Sequence, residues 1–219
     1  MNKTTAIAVD GPAGAGKSTV ARKVAEKLGF LYVDTGAMYR ALTLFALRRG
    51  VPINNDEALS ELIKQVRLDV KPGRILLNGE DVTVPIRSPE VSRHVSLVAR
   101  LPSVRRYLLK LQRELAANVN VVMEGRDIGT VVLPEADKKF FITASVAERA
   151  KRRRQDLLTQ GHDISVEKLE KEIAERDLLD STRDIAPLKP ASDAIFIDTT
   201  RMTIQEVVDR IVSEVQGNR

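Results

Sequence analysis

Residues 11–18 read Gly-Pro-Ala-Gly-Ala-Gly-Lys-Ser and fit the pattern G-x-x-x-x-G-K-[ST]. Glycines at that spacing let successive backbone N–H groups turn inward around phosphate oxygens. A lysine in the seventh place reaches the β- and γ-phosphates of a nucleotide, and the hydroxyl after it can hold Mg²⁺. Lys17 and Ser18 supply those two groups. The chemistry served by such a loop is phosphoryl handling, which depends on placing positive charge more than on moving protons.

Three further sets of residues suit that chemistry. Residues 34–40 read Asp-Thr-Gly-Ala-Met-Tyr-Arg at the end of an apolar run. Arg40, one turn into the helix expected there, can hold a phosphate. Taken alone it reads as a solvated helix charge, but the glycine-rich loop fixes which end of the sheet is functional. Residues 121–130 read Val-Val-Met-Glu-Gly-Arg-Asp-Ile-Gly-Thr. An apolar strand ending in a carboxylate is the pattern of a Walker B element, so Glu124 can orient Mg²⁺-bound water and Arg126-Asp127 point into a cleft. The third set is arginines. Arg149 and Arg153 stand four apart on one helix face, and Arg176 and Arg183 flank Asp177 and Asp180. An arginine-bearing flap of this kind can neutralise charge developing in flight and exclude water. His94 and His162 are assigned no role.

The elements that must position these groups alternate in type. Residues 5–9 form a buried-strand pattern ending at Asp10, and Val20, Val24, Ala25 and Leu28 recur at helical spacing up to Gly29. Strands are expected at 30–33, 119–123, 139–142 and 194–197. Helices are expected at 38–49, 57–66, 87–97, 102–117, 145–158, 166–179 and 204–215. This order predicts an α/β fold with a five-stranded parallel sheet and helices on both faces. Residues 67–84 break the rhythm. Pro72-Gly73 and Asn78-Gly79 are turn dipeptides among β-prone residues, which predicts a small antiparallel three-stranded insertion.

Composition sets the outer bounds. The 219 residues include no cysteine and two histidines, which excludes disulfides, thiol nucleophiles and Cys- or His-rich metal sites. No apolar run approaches membrane-spanning length, so a cytoplasmic protein without membrane attachment is the expectation. The net charge is +5, with 22 arginines against 13 lysines, and arginine is the residue suited to bidentate phosphate contact. With no Trp and aromatics at 4%, few rings are available to stack on bases, which disfavours single-strand binding.

The stretches 10–19, 34–40, 124–134 and 175–188, the last holding Arg-Asp-x-x-Asp-Ser-Thr-Arg-Asp-x-Ala-Pro-Leu, resemble the bacterial cytidylate kinases, nucleoside monophosphate kinases of the P-loop NTPase class. The resemblance covers essentially the whole chain, insertion included. It implies transfer of the γ-phosphoryl of ATP to CMP or dCMP with Mg²⁺. It implies ATP-phosphate contacts from Gly11, Pro12, Ala13, Gly14, Ala15, Gly16, Lys17, Ser18 and Thr19, with Ser18 on the metal. Thr35 and Arg40 look like contacts to the acceptor monophosphate. Ser96, Arg105, Arg126 and Asp127 match positions that read cytosine, and Asp180 looks like a ribose contact. Arg176 and Arg183 resemble phosphate-binding residues. Arg149 and Arg153 resemble lid arginines, Arg149 on the ATP side and Arg153, with Lys17, Arg126 and Arg183, catalytic. Glu124 and Thr35 stand where some members have Asp and Ser, which keeps the chemistry. The implied layout is one kinase domain with a core of 1–65, 100–150 and 190–219, an acceptor-binding insertion of about 66–99 and a helical lid of about 151–189. A monomer that binds no nucleic acid is expected. A P-loop ATPase acting on nucleic acid is the competing reading, favoured weakly by the 151–154 basic run. A GTP switch lacks its Asn-Lys-x-Asp motif.

Overall fold

The computed structural model describes residues 4–159 and 161–217. Its strands and helices, in chain order, are β1 Ala6–Asp10, α1 Lys17–Leu28, β2 Leu31–Asp34, α2 Thr35–Arg48, α3 Asp56–Ile63, β3 Leu68–Lys71, β4 Arg74–Leu77, β5 Glu80–Asp81, α4 Pro89–Val98, α5 Pro102–Ala117, β6 Val121–Gly125, β7 Lys138–Thr143, α6 Val146–Leu158, α7 Val166–Ser181, β8 Ile195–Asp198 and α8 Ile204–Gln216. Five strands form one sheet in the order β2-β6-β1-β7-β8, with parallel pairing of β1 to β6, β1 to β7 and β7 to β8. Parallel neighbours need helical crossovers, and the sequence supplies them. The chain divides into two compact units, Met1–Tyr32 with Asn120–Arg219, and Val33–Val119.

In the first unit, Ile7, Val9, Val122, Phe140, Ile142 and Ile197 point from one sheet face onto Val20, Ala21 and Val24 of α1 and Val207, Val208 and Ile211 of α8. The alternate residues Ala8 and Met123 are fully buried too, so the central strands are covered on both faces. A separate apolar cluster of Ala150, Leu157, Leu169 and Ile173 joins α6 to α7. These two helices therefore form a hairpin with its own small core.

The second unit holds the insertion. β3, β4 and β5 make an antiparallel three-stranded sheet, as the turn dipeptides predict. Gly73 at φ 72°, Asn78 at φ 50° and Gly79 at φ 88° provide the left-handed turns. Helix α2 begins at Thr35, three residues earlier than its apolar spacing suggests, because Asp34 caps it by accepting from the Ala37 N–H at 2.9 Å. Helix α4 begins at Pro89 after a 3₁₀ turn at Pro85–Arg87, with the Ser88 hydroxyl as its cap. β6 starts at Val121, not 119, since Val119 is exposed and Asn120 Oδ1 accepts from the Thr5 N–H.

Candidate active site

The glycine-rich loop leaves the C-terminal end of β1, the middle strand of the sheet. Gly11 has φ 146°, and a Cβ there would stand 1.9 Å from the Ile142 carbonyl oxygen, so no other residue fits without moving backbone. Gly14 and Gly16 are left-handed as well, and Gly16 leads into α1. The loop thus turns sharply from the end of β1 into the N-terminus of α1, a place where a helix can hold a phosphate. Lys17 opens α1 at 5% exposure and donates to Pro12 O at 2.7 Å. Burial, then Arg126, lowers its pKa to about 7, with Arg176 adding to the effect and Glu124 and Asp10 opposing it.

Strand β6 brings Glu124 to the same sheet end. It is 3% exposed and accepts from the Tyr32 hydroxyl at 2.6 Å, while the Arg22 guanidinium lies 5.3 Å from the Tyr32 ring centre. The residues that follow form a π-helical turn, Ile128–Val132, in a stretch to which the sequence pattern assigns no element. Asp10 holds that turn. Its carboxylate, 4% exposed, accepts from the N–H of Ile128 at 2.8 Å and of Gly129 at 2.7 Å. Burial raises the Asp10 pKa to about 6 against the lowering by those two bonds.

The arginines converge in this unit. Arg126 Nε donates to Asp180 Oδ2 at 2.9 Å, and Arg183 Nη2 to Asp127 Oδ1 at 3.1 Å. Arg183 Nε also donates to the carbonyl of Ala186, a residue at φ 52°. Arg176 Nε is buried with no hydrogen-bond partner among the described residues. Burial, then Arg126, lowers the Arg176 pKa to about 10, and Arg153 contributes. Burial pushes Asp180 up, but Arg126, Arg176 and Arg183 outweigh it and hold the carboxyl below its usual value. Arg149 is buried on α6 and spans three partners: Ala144 O at 2.9 Å, Ala13 O in the loop at 3.0 Å and Asp177 Oδ2 at 2.7 Å. Arg153, half-buried, is one turn further along the same helix.

The other sequence-predicted residues lie in the second unit. Thr35 is buried at the start of α2, and Arg40 Nη1 donates to Ser92 Oγ at 2.8 Å and to Ile86 O at 3.3 Å. Ser96, one turn beyond Ser92 on α4, is half-buried. Arg105 donates to Ala99 O at 3.2 Å, with its guanidinium 5.9 Å from the Tyr39 ring centre. Asp34 accepts from Arg87 at 3.2 Å. Of the two histidines, His94 Nδ1 lies 2.9 Å from Glu90 O and His162 is exposed.

Sequence reasoning missed several contributors. Asp10 closes an apolar strand with a carboxylate, the same signal that singled out Glu124. Arg152 stands in the dense basic run and donates to Thr199 Oγ1 at 3.1 Å and Thr199 O at 2.8 Å, close behind Gly16. Nothing in the sequence marks Tyr32 as a partner of Glu124, since the two are 92 positions apart.

A parallel five-stranded sheet with a phosphate-cradling loop after its central strand defines a P-loop α/β protein. Solved structures share that fold. A shikimate kinase from Acinetobacter baumannii superimposes with a TM-score of 0.50 over 99% of this chain and 95% of its own at 18% identity. A gluconokinase from Sinorhizobium meliloti gives 0.51 over 100% and 97% at 15% identity. The sequence narrows the class. The cytidylate kinase family profile matches residues 7–217. Cytidylate kinases from Desulforamulus reducens and Geobacillus are 54% and 53% identical, covering 100% and 98% of this chain and 100% and 98% of their own lengths. The chain belongs to the cytidylate kinase family.

Proposed function

We propose that the protein transfers the γ-phosphoryl group of ATP to CMP or dCMP, giving ADP and the nucleoside diphosphate. The observation that carries this reading is the cluster of Lys17, Arg126, Arg153 and Arg176, in which burial and the neighbouring cations lower the pKa of Lys17 and of Arg176. Such a cluster gains by meeting a polyanion, and two nucleotides exchanging a phosphoryl group are one. The attacking atom is a phosphate oxygen of the acceptor, already largely ionised at neutral pH, so no general base is required.

Each residue then has a task. Residues 11–19 cradle the donor phosphates, with backbone N–H groups at every position but Pro12, and Lys17 neutralises the bridging oxygen as it becomes the leaving group. Arg126, Arg153 and Arg183 face the equatorial oxygens in flight. Arg176, whose Nε is buried without a hydrogen-bond partner among the described residues, binds phosphate, and Arg149 supports the donor side through the Ala13 carbonyl. Thr35 and Arg40 hold the acceptor phosphate, and Asp180 contacts the ribose.

Mg²⁺ belongs to this reading too. Among the described residues no group of three or more acidic or histidine side chains could hold a metal alone. A Ser18 hydroxyl and a buried Glu124 fit an ion held mainly by substrate phosphates and water, with Ser18 as direct ligand and Glu124 orienting a water. When bound, the ion neutralises charge at the β- and γ-phosphoryl oxygens.

Cytosine offers an N4 amino donor where uracil has a carbonyl. Asp127 accepts from N4, and Arg105 and Ser96 donate to N3 and O2. The layout proposed is a core of 1–65, 100–150 and 190–219 with an acceptor-binding insertion at about 66–99 and a lid at about 151–189, for which the independent α6–α7 apolar cluster speaks. The protein works as a cytoplasmic monomer; no described helix is long and apolar enough to cross a membrane. A coupled ADP-release assay with ATP and each nucleoside monophosphate, with single-stranded RNA as a control, tests the reading. CMP and dCMP should be preferred acceptors, and RNA-stimulated hydrolysis without acceptor would reject it.

A further inference from the structure

Asp10 has no task in phosphoryl transfer as described above, yet it is among the most deeply buried carboxylates of its unit. It ends β1, directly before the first residue of the phosphate loop, and pairs in register with Gly125 of β6 and Phe141 of β7. Its two oxygens are both committed, one to the Ile128 N–H and one to the Gly129 N–H. Those amides are the first two of the π-helical turn, and they follow Arg126 and Asp127 without a gap. The Asp127 carbonyl accepts in turn from the N–H of Val131 at 2.9 Å and of Val132 at 3.1 Å, which closes the turn on itself. Asp127 has φ −145° and ψ 25°, a backbone setting that no regular element enforces.

The other side of the turn is equally constrained. A Cβ on Gly129 would lie 3.1 Å from Lys139 Cδ and 3.4 Å from Asp10 Oδ2. Lys139 is held in place by Asp193, at 2.8 and 3.0 Å. The turn is thus clamped between the Asp10 carboxylate and the Lys139 stem, and the direction in which Arg126 and Asp127 project follows from that clamp.

We infer that Asp10 is a positioning residue for acceptor recognition: by accepting from the Ile128 and Gly129 amides, its carboxylate fixes the turn that aims Arg126 and Asp127 at the acceptor. The inference rests on the reading that Asp127 meets the acceptor base. Asp10→Asn keeps the side-chain shape but replaces one acceptor oxygen with an NH₂ group facing an N–H donor. One of the two bonds is lost and the turn is released on that side.

The test is steady-state kinetics with CMP and with UMP on the wild type, Asp10→Asn, Gly129→Ala and Asp127→Asn. Asp10→Asn should raise KM for CMP and lower the CMP-to-UMP ratio of kcat/KM by at least about fivefold; the Asp10 charge also supports the Lys17 ammonium, but a loss on the ATP side scales both acceptors alike and leaves their ratio unmoved. Gly129→Ala crowds the same turn while leaving the carboxylate in place, and should shift the ratio in the same direction. If Asp10→Asn does not fold, Gly129→Ala decides. A purely structural role would lower Tm or scale kcat equally for both acceptors. An unchanged ratio and an unchanged KM for CMP therefore overturn the inference. If Asp127→Asn moves the ratio while Asp10→Asn and Gly129→Ala do not, the inference alone fails. If the wild type does not discriminate, or Asp127→Asn leaves the ratio unchanged, the base-reading role of Asp127 fails and takes the inference with it.

Discussion

A buried ammonium beside two guanidinium groups costs the folded protein stability and equips it to receive phosphate. Lys17 is that ammonium, with burial and then Arg126 lowering its pKa from 10.5 to about 7. Below pH 7 both folded and unfolded chains carry the proton, so the full cost is present. Between pH 7 and 10.5 only the unfolded chain holds it, so stability rises with pH through that window and the cost fades. Lys17→Met removes the charge while keeping most of the stem. Its kcat should fall by at least about a hundredfold, the scale on which a preorganised electrostatic contact acts. Its Tm should be no lower than that of the wild type, with the largest gain at or below pH 7 and a smaller one near pH 9–10. Turnover and thermal unfolding across that pH range check both halves. Near-normal turnover would remove the phosphate-loop assignment. A Tm advantage that grows with pH would remove the account of the buried ammonium.

Elements meet the loop at two points where substitution should be costly for different reasons. At the end of β1, Gly11→Ala places a methyl group 1.9 Å from the Ile142 carbonyl of β7, at a φ of 146° that alanine resists. The backbone must shift, so a loss on the order of 4 kcal/mol is expected. Soluble yield and urea unfolding report it. On α6, Arg149 ties the loop carbonyl of Ala13 to Asp177 of α7. Arg149→Ala removes the ion pair to Asp177, leaving Arg176 as the cation near it, and should cost roughly 3 kcal/mol, or a Tm decrease of about 6–12 °C. A loss confined to KM for ATP with Tm unchanged would make Arg149 a ligand contact and not a brace. How far these elements were legible in the sequence follows from the range of their causes. The strand-to-helix order, the Pro72-Gly73 and Asn78-Gly79 turns and helix 102–117 arise from local spacing and were readable. The start of α2 was placed late because Thr35 and Gly36 are poor helix formers, and only the Asp34 cap explains them. The π-helical turn was invisible because its stabilising partner, Asp10, lies 118 positions upstream. The candidate site was legible where a motif is contiguous, as at residues 11–18 and 124–130. It was not legible where a role depends on pairing across the fold, as with Tyr32 and Glu124 or Arg152 and Thr199.

At the scale of the whole molecule, a net charge of +5 is too small to act through long-range attraction at physiological salt, where screening sets in within about 8 Å. What matters is where the excess sits. Arg48 with Glu80, Lys27 with Asp209 and Arg154 with Asp163 are exposed pairs of one cation and one anion, which contribute little. In the site of the first unit, the six cations Lys17, Arg126, Arg149, Arg153, Arg176 and Arg183 stand against the five carboxylates Asp10, Glu124, Asp127, Asp177 and Asp180, a surplus of one positive charge. On the proposed function a bound nucleotide balances that surplus, and a ligand that binds the folded chain alone stabilises it by mass action. At about 100 times Kd the gain is about 2.7 kcal/mol for one site, which for a chain of 219 residues corresponds to a Tm increase of roughly 5–10 °C. ADP alone and CMP alone should each produce a shift of that size, reported by thermal unfolding at fixed salt. UMP at the same concentration should produce a markedly smaller one if Asp127 reads the base. Equal shifts from CMP and UMP would place acceptor selectivity in the transition state instead of the binding step. No shift from either nucleotide would mean that the buried arginines are balanced by their carboxylates alone, and that the charge cluster is architecture instead of a phosphate site.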